Sequence, residues 1–206
     1  MSGKYKVGGK NGKGKEYILD TKILIFEGEY LNGKRNGVGK EYLDNGKIKF
    51  EGEYLNGKRW NGKGKIFYDN NVDLRFEVEC LNGKSKGKEY YDKGNLKFEG
   101  EYLDEERHGK GIEYYDNGEI KFEGEYINGK RWNGKGKVYD YGKVIFEEEY
   151  LNGEMKGIEY NYNDEVIYEG DYLDGKRNGK GKEFFDKGKL KYEGEYLNGE
   201  RNGKGK

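Results

Sequence analysis

The chain has 206 residues, 32% of them apolar and 39% charged, and its 40 basic and 40 acidic side chains leave a formal net charge of zero. Such polarity excludes one large globular core. The balance excludes the basic face that a nucleic-acid partner selects, and neither a polybasic cluster nor an amphipathic helix of the kind that binds anionic lipid is visible.

One phrase restarts along the whole chain, F-E-G-E-Y-L-N-G-K-R-N-G-K-G-K-E-Y-Y-D-N-G-K-L-K. Its leading aromatic falls at Phe26, Phe50, Phe76, Phe98, Phe122, Phe146, Tyr168 and Tyr192, at intervals of 24, 26, 22, 24, 24, 22 and 24 residues. A period of this size marks a repeat architecture in which each unit packs on its neighbours. Every interval is even. A strand alternates its side chains with period two, so even spacing keeps each row on one face, and this argues for strands.

In chain order, the unit after Phe50 gains Trp60 and a further residue in the Asn70–Asp73 turn, and the unit starting at Gly83 loses two. Lys97–Leu103 and Gly109–Tyr115 exemplify the two strands of a unit. The later Trp132 insertion is offset by one residue lost near Tyr141, and the unit starting at Gly153 again loses two. Asn56-Gly57, Asn117-Gly118, Asp174-Gly175 and Lys187-Gly188 supply residues that accept the positive φ of short hairpin turns. The predicted fold is all-β: an elongated, single-layer antiparallel meander of about eight tandem hairpins with right-handed twist. Residues 1–206 form one array of 22–26-residue units with partial units at both ends. About 16 strands at ~4.8 Å spacing predict a ribbon on the order of 75 Å long. The 21 Tyr and nine Phe suit a pleated surface. Alternation puts Phe98, Gly100 and Tyr102 on one face, with each ring over a glycine of the adjacent strand. Glu99 and Glu101 go to a field of Glu–Lys pairs on the other.

These residues resemble the MORN repeat family and its Y-Y-x-N-G-x-L-K-x-E-G variant, matched by Tyr114, Tyr115, Asn117, Gly118, Ile120, Lys121, Glu123, Gly124 and Tyr126. Arg107, His108, Gly109, Lys110 and Gly111 approach the G-K-R-H-G-K-G turn, and the resemblance runs from about Gly8 to Lys206. It implies a single-layer antiparallel sheet and a scaffold or protein-binding role at cytoskeletal, ciliary or membrane-associated structures, with lipid contact as an option. Glu147-Glu148-Glu149 in place of E-G-E, and Val78 and Cys80 in place of Gly and Tyr, depart from the family pattern.

No catalytic, cofactor or metal site is expected. His108 is the only histidine and reads as a solvated turn residue. Cys80 stands where sister units have Tyr and reads as a packed thiol; as the lone cysteine it excludes an internal disulfide and fits a reducing, cytoplasmic setting. Glu pairs such as Glu27 and Glu29 recur in nearly every unit and read as structural. No apolar run approaches the roughly 20 residues of a membrane-spanning helix.

Binding is expected at two places. Trp60 and Trp132, beside Arg59 and Arg131, either project as a partner-binding edge or fold back over the neighbouring turn. The aromatic face, carrying Tyr30, Tyr54, Tyr102, Tyr126, Tyr150, Tyr172 and Tyr196, either stays half-wet or receives a partner. The expected function is a non-catalytic scaffold for protein partners, including self-association through open sheet edges. Alternatives are a peripheral phospholipid-binding module and a subunit of a cytoskeletal, ciliary or giant-virus structure.

Overall fold

The computed structural model describes residues 3–67, 74–203 and 205–206, which divide into two compact units, residues 1–105 and 106–206. The Asn70–Asp73 turn lies outside the described residues. Unit 1 holds β1 (Lys4–Val7), β2 (Gly12–Ile18), β3 (Leu24–Leu31), β4 (Lys34–Tyr42), β5 (Ile48–Leu55), β6 (Lys58–Phe67), β7 (Leu74–Leu81), β8 (Lys84–Tyr90) and β9 (Leu96–Leu103). Unit 2 holds β10 (Glu106–Tyr114), β11 (Ile120–Ile127), β12 (Lys130–Asp140), β13 (Lys143–Leu151), β14 (Glu154–Tyr160), β15 (Val166–Leu173), β16 (Lys176–Phe184), β17 (Leu190–Leu197) and β18 (Glu200–Asn202). Within each unit every strand pairs antiparallel with the next in sequence, as expected for a meander. Two strands exceed the predicted number because β1 and β2 precede the first aromatic anchor.

Alternate connections such as 43–47 and 115–119 are five-residue loops. The connection after each anchor-bearing strand is instead a two-residue turn with both residues at positive φ, for example Asn32 (52°) with Gly33 (81°) and Asn128 (50°) with Gly129 (76°). This mirror-image turn matches the right-handed twist of the strands it joins. Strands begin earlier than predicted: β10 starts at Glu106, not Gly109. The K-R-N segment reads as turn chemistry, yet its arginine pairs back across the hairpin, Tyr30 with Arg35, and the next three residues form a bulge opposite Glu29.

The rings lie on bare backbone. Gly28 pairs with Gly39, and Gly39 with Gly52. A Cβ on Gly39 would sit 2.5 Å from Phe26 Cζ, and one on Gly181 would sit 2.7 Å from Tyr168 Cζ. Tyr30 and Tyr54 meet Phe26 edge-on at 5.7 and 5.0 Å. This face is drier than expected of one layer: Phe26, Phe50, Phe98, Phe122 and Tyr168 are 0% exposed. Each such ring contributes about 2 kcal/mol by burial. The opposite face carries the expected ladders, such as Lys15–Glu27 (3.1 Å), Lys40–Glu51 (3.0 Å) and Lys137–Glu147 (2.9 Å). Their exposure to water and salt keeps each pair weak.

Candidate functional site

What closes the aromatic face is a charged cover built from three repeat positions. In the regular hairpins the Glu of K-E-Y accepts from the Tyr hydroxyl of the next strand and from the following Arg. Glu41 takes Tyr54 Oη at 2.9 Å and Arg59 at 2.6 Å, and Glu113 takes Tyr126 Oη at 2.9 Å and Arg131 at 3.0 Å. Glu16 with Tyr30 and Arg35, Glu159 with Tyr172 and Arg177, and Glu183 with Tyr196 and Arg201 repeat the set. The guanidinium then lies over the aromatic anchor nine residues earlier: Arg35 over Phe26 at 4.0 Å, Arg59 over Phe50 at 4.5 Å, Arg131 over Phe122 at 4.3 Å, and Arg177 over Tyr168 at 4.0 Å. Burial opposes ionisation of Glu41, but the Arg59 hydrogen bond and charge, with the Tyr54 hydroxyl, hold its carboxyl below the usual range. Arg201 holds Glu183 down at about 2.

Strict alternation missed a second contributor. Glu41 pairs with Phe50 and Tyr42 with Ile48, leaving Lys49 as a bulge residue; the same bulge recurs ahead of other anchors. The bulge turns its residue onto the aromatic side. Lys49 reaches Glu105 at 2.7 Å and Lys191 reaches Glu183 at 3.3 Å.

At the tryptophans the array steps sideways. In β6, Gly62 pairs with Gly52 of β5, whereas Gly64 pairs with Val78 of β7. In β12, Gly134 pairs with Gly124 of β11, and Gly136 with Glu148 of β13. Regular strands use one glycine for both neighbours, so these strands shift the stack by two residues, which keeps every side chain on its face. Trp60 and Trp132 are the bulge residues that allow the shift. Gly62 (φ 148°) and Gly134 (φ 143°) adopt a backbone that side chains rarely tolerate. Both indoles are half-buried and fold back over the next turn: a Cβ on Gly83 would lie 3.1 Å from Trp60, and one on Gly153 would lie 3.1 Å from Trp132. Gly83 N–H donates to Trp60 O and Gly153 N–H to Trp132 O, each at 2.9 Å. Of the two readings of the tryptophans, the packed one describes their placement.

Residues 85–104 and 107–128 match the MORN repeat variant, and residues 26–48, 168–189 and 192–206 match the MORN repeat. The chain belongs to the MORN repeat family. MORN repeats commonly mediate protein or membrane interactions, and the family is a non-enzymatic one. No curated protein matches the chain.

In this MORN array the hairpin after each step loses its cover. Ile66 and Val138 replace the Glu, and Ser85 and Met155 replace the Arg. Their anchors, Phe76 and Phe146, are only half-buried, unlike the fully buried anchors of the regular repeats. A recess opens at the equivalent place in each unit, and nine lining positions correspond at an offset of 70 residues, from Arg75 with Ile145 to Glu105 with Gly175. The unit 1 recess, about 340 Å³, is lined by Lys49, Arg59, Arg75 and Lys97 against Glu89 and Glu105. The unit 2 recess, about 600 Å³, has Ile145 for Arg75, Met155 for Ser85, Ile167 for Lys97, and Glu148 for Val78. Burial pushes the Glu148 carboxyl up, against the attraction of Arg131, which donates a hydrogen bond to it.

The predicted binding residues therefore divide. Tyr30, Tyr54, Tyr126 and Tyr196 are buried under the Glu–Arg cover; Tyr102 is buried, donates to Glu89 and borders the unit 1 recess; Tyr150 and Tyr172 are half-buried and border the unit 2 recess. Arg59 borders the unit 1 recess, and Arg131 bonds Glu113 and Glu148. Cys80 is buried with Sγ 3.0 Å from Ser85 Oγ, as a packed thiol should be. His108, expected in a solvated turn, is half-buried within β10, because the strand extends through K-R-N. The signal for the recesses was present in the sequence: Glu, Tyr or Gly, and Arg positions change together in the same two units.

Proposed function

We propose that this MORN array is a non-catalytic scaffold that binds protein partners, working in the cytoplasm or on a cytoskeletal, membrane-proximal or viral-particle structure. The observation that carries the reading is the concentration of departures from the repeat. The regular hairpins pair ring with glycine and Glu with Tyr and Arg, leaving the two tryptophan steps and their recesses as the places where side chains are particular to this chain. Family membership supports an interaction role, and the titratable groups of the regular repeats are paired structurally, which supports a role without catalysis. Partners are met along the Trp60–Arg59 and Trp132–Arg131 segments and the adjoining recesses.

Affinity capture from the native source, comparing the wild type with a variant carrying Trp60→Ala and Trp132→Ala, tests the reading. Partners retained by the wild type and lost by a folded variant are expected. Co-sedimentation with vesicles containing anionic lipid, and no variant-sensitive protein partner, would replace the scaffold by the phospholipid-binding alternative.

A further inference from the structure

We infer that the unit 2 recess is a receptor slot for an arginine side chain presented by a partner protein. The proposal deepens the scaffold reading and rests on it. Its template lies in the same chain. Arg35, Arg59, Arg131, Arg177 and Arg201 each lie 4.0–4.5 Å over the anchor ring nine positions earlier. For Phe146 that position is Met155, and among the described residues no lysine or arginine lies over the Phe146 ring. The ring is accordingly half-exposed.

Val138 stands where the principal carboxylate partner of a cover arginine would be, but the second carboxylate that such an arginine meets is in place. In regular hairpins this Glu is shared by two arginines: Glu41 by Arg35 (3.3 Å) and Arg59 (2.6 Å), and Glu113 by Arg107 (3.3 Å) and Arg131 (3.0 Å). Its counterpart Glu159 has the later arginine, Arg177, and the Tyr172 hydroxyl, but the earlier arginine is Met155. Glu148 adds a second carboxylate where sister repeats have glycine. The recess thus presents an aromatic face, two carboxylates and the apolar walls Ile145 and Ile167, with no cation in its lining. A guanidinium stacks on a ring and forks onto a carboxylate, and its methylene stem suits an apolar wall.

Unit 1 is the internal contrast. Its recess already holds Arg59, Arg75, Lys49 and Lys97 in the lining and has Val78 where unit 2 has Glu148. Charge complementarity therefore selects the unit 2 recess for a cationic occupant.

The chain contains two methionines, Met1 and Met155, so methyl-labelled methionine gives a resonance that reports the slot directly. The full-length protein would be titrated with Nα-acetylarginine amide and, in parallel, with the neutral isostere Nα-acetylcitrulline amide. The expected result is a saturable shift of the Met155 methyl by the arginine probe in the millimolar range, and at least about tenfold weaker binding of citrulline, since charge-assisted bonds roughly double neutral ones in strength. Met155→Arg supplies the missing side chain internally, so its melting temperature should rise by about 2–4 °C. Equal shifts from both probes, or no shift at about 100 mM arginine probe, would overturn the slot. So would a lowered melting temperature in Met155→Arg. These outcomes leave the scaffold reading intact, because partner capture through the tryptophan segments is measured separately.

Discussion

The regular hairpin β3–β4 and the stepped hairpin β7–β8 have the same anchor and the same turn, yet they solve burial differently. In the first, Phe26 lies on paired glycines under Arg35. In the second, the two-residue offset set up by Trp60 puts Val78 on the glycine row, with Ile66, Cys80 and Ser85 where the cover would be. The difference teaches that the cover is a unit. Glu and Arg are kept together or lost together, because a half-dismantled set would strand a partly buried charge. Unit 2 repeats the lesson with Val138 and Met155.

The largest test exchanges the two glycine-row solutions. Gly39→Ala drives a methyl into Phe26 and should cost about 3 kcal/mol, whereas Val78→Gly removes packed carbons and should cost about 1–2 kcal/mol. Urea midpoints of the two variants check this; a Val78→Gly protein more stable than wild type would erase the distinction between the hairpins. Next, Glu41→Gln should cost about 2 kcal/mol by loosening Arg59, Arg35 and Tyr54. Ile66→Glu should also destabilise, but by less, because the recess offers that carboxylate Arg59 while Cys80 and Ser85 supply neither the phenol nor the later guanidinium of a complete cover. A neutral Ile66→Glu would show that the cover is not a unit.

The pH profile sharpens the comparison further. The covered glutamates Glu16, Glu41, Glu113, Glu159 and Glu183 are all held down in the fold. Their stabilisation is complete above the ordinary glutamate value and is lost as pH falls, for Glu183 between 4.5 and about 2. Glu148, pushed up by burial at the unit 2 step, has the opposite sign: it favours the fold at low pH and weakens it as pH rises through its raised value. Tyr42 and Tyr90, raised by burial and by Glu27 and Glu77 to about 12, stabilise fully below 10 and lose that contribution toward 12. Thermal melts across pH should therefore fall away at both extremes, and Glu148→Gln should flatten the slope that begins above the ordinary glutamate value without moving the acid limb. An acid limb absent from the wild type would contradict the covered carboxylates.

The smallest effect belongs to Glu105. It takes the place of the turn glycine at φ 70° and spans to Lys49 and Arg59. Glu105→Gly relieves the backbone by about 1 kcal/mol and gives up exposed pairs of similar worth, so stability should be nearly unchanged at low salt. At about 1 M salt the pairs are screened and the glycine variant should become the more stable. The sign of that salt dependence in melting experiments is the measurement.

Most of the architecture was legible in the repeat. The even intervals, the Asn-Gly and Asp-Gly turns and the aromatic–glycine alternation led to antiparallel hairpins with rings on backbone, which is what Phe26 over Gly39 displays. The cover was not legible, because alternation sorts residues onto faces without revealing that the bulge at Trp60 sets Arg59 beside Glu41, where Tyr54 also donates. The bulges hid the contributions of Lys49 and Arg75 in the same way. The step was half legible. Trp60 and Trp132 announced an insertion, but which strand absorbs it is a matter of pairing register, and that became visible only when Gly62 and Gly64 were seen serving different neighbours.

That division of labour between two glycines has an evolutionary corollary. Trp60 and Trp132 lie three hairpins apart, and each carries its own sideways jog, its own uncovered anchor and its own hollow. A lineage that copies or deletes such a three-hairpin cassette changes the reach of the protein without turning any residue inside out. The two hollows are then free to drift in chemistry, one toward cations and the other toward carboxylates and oil.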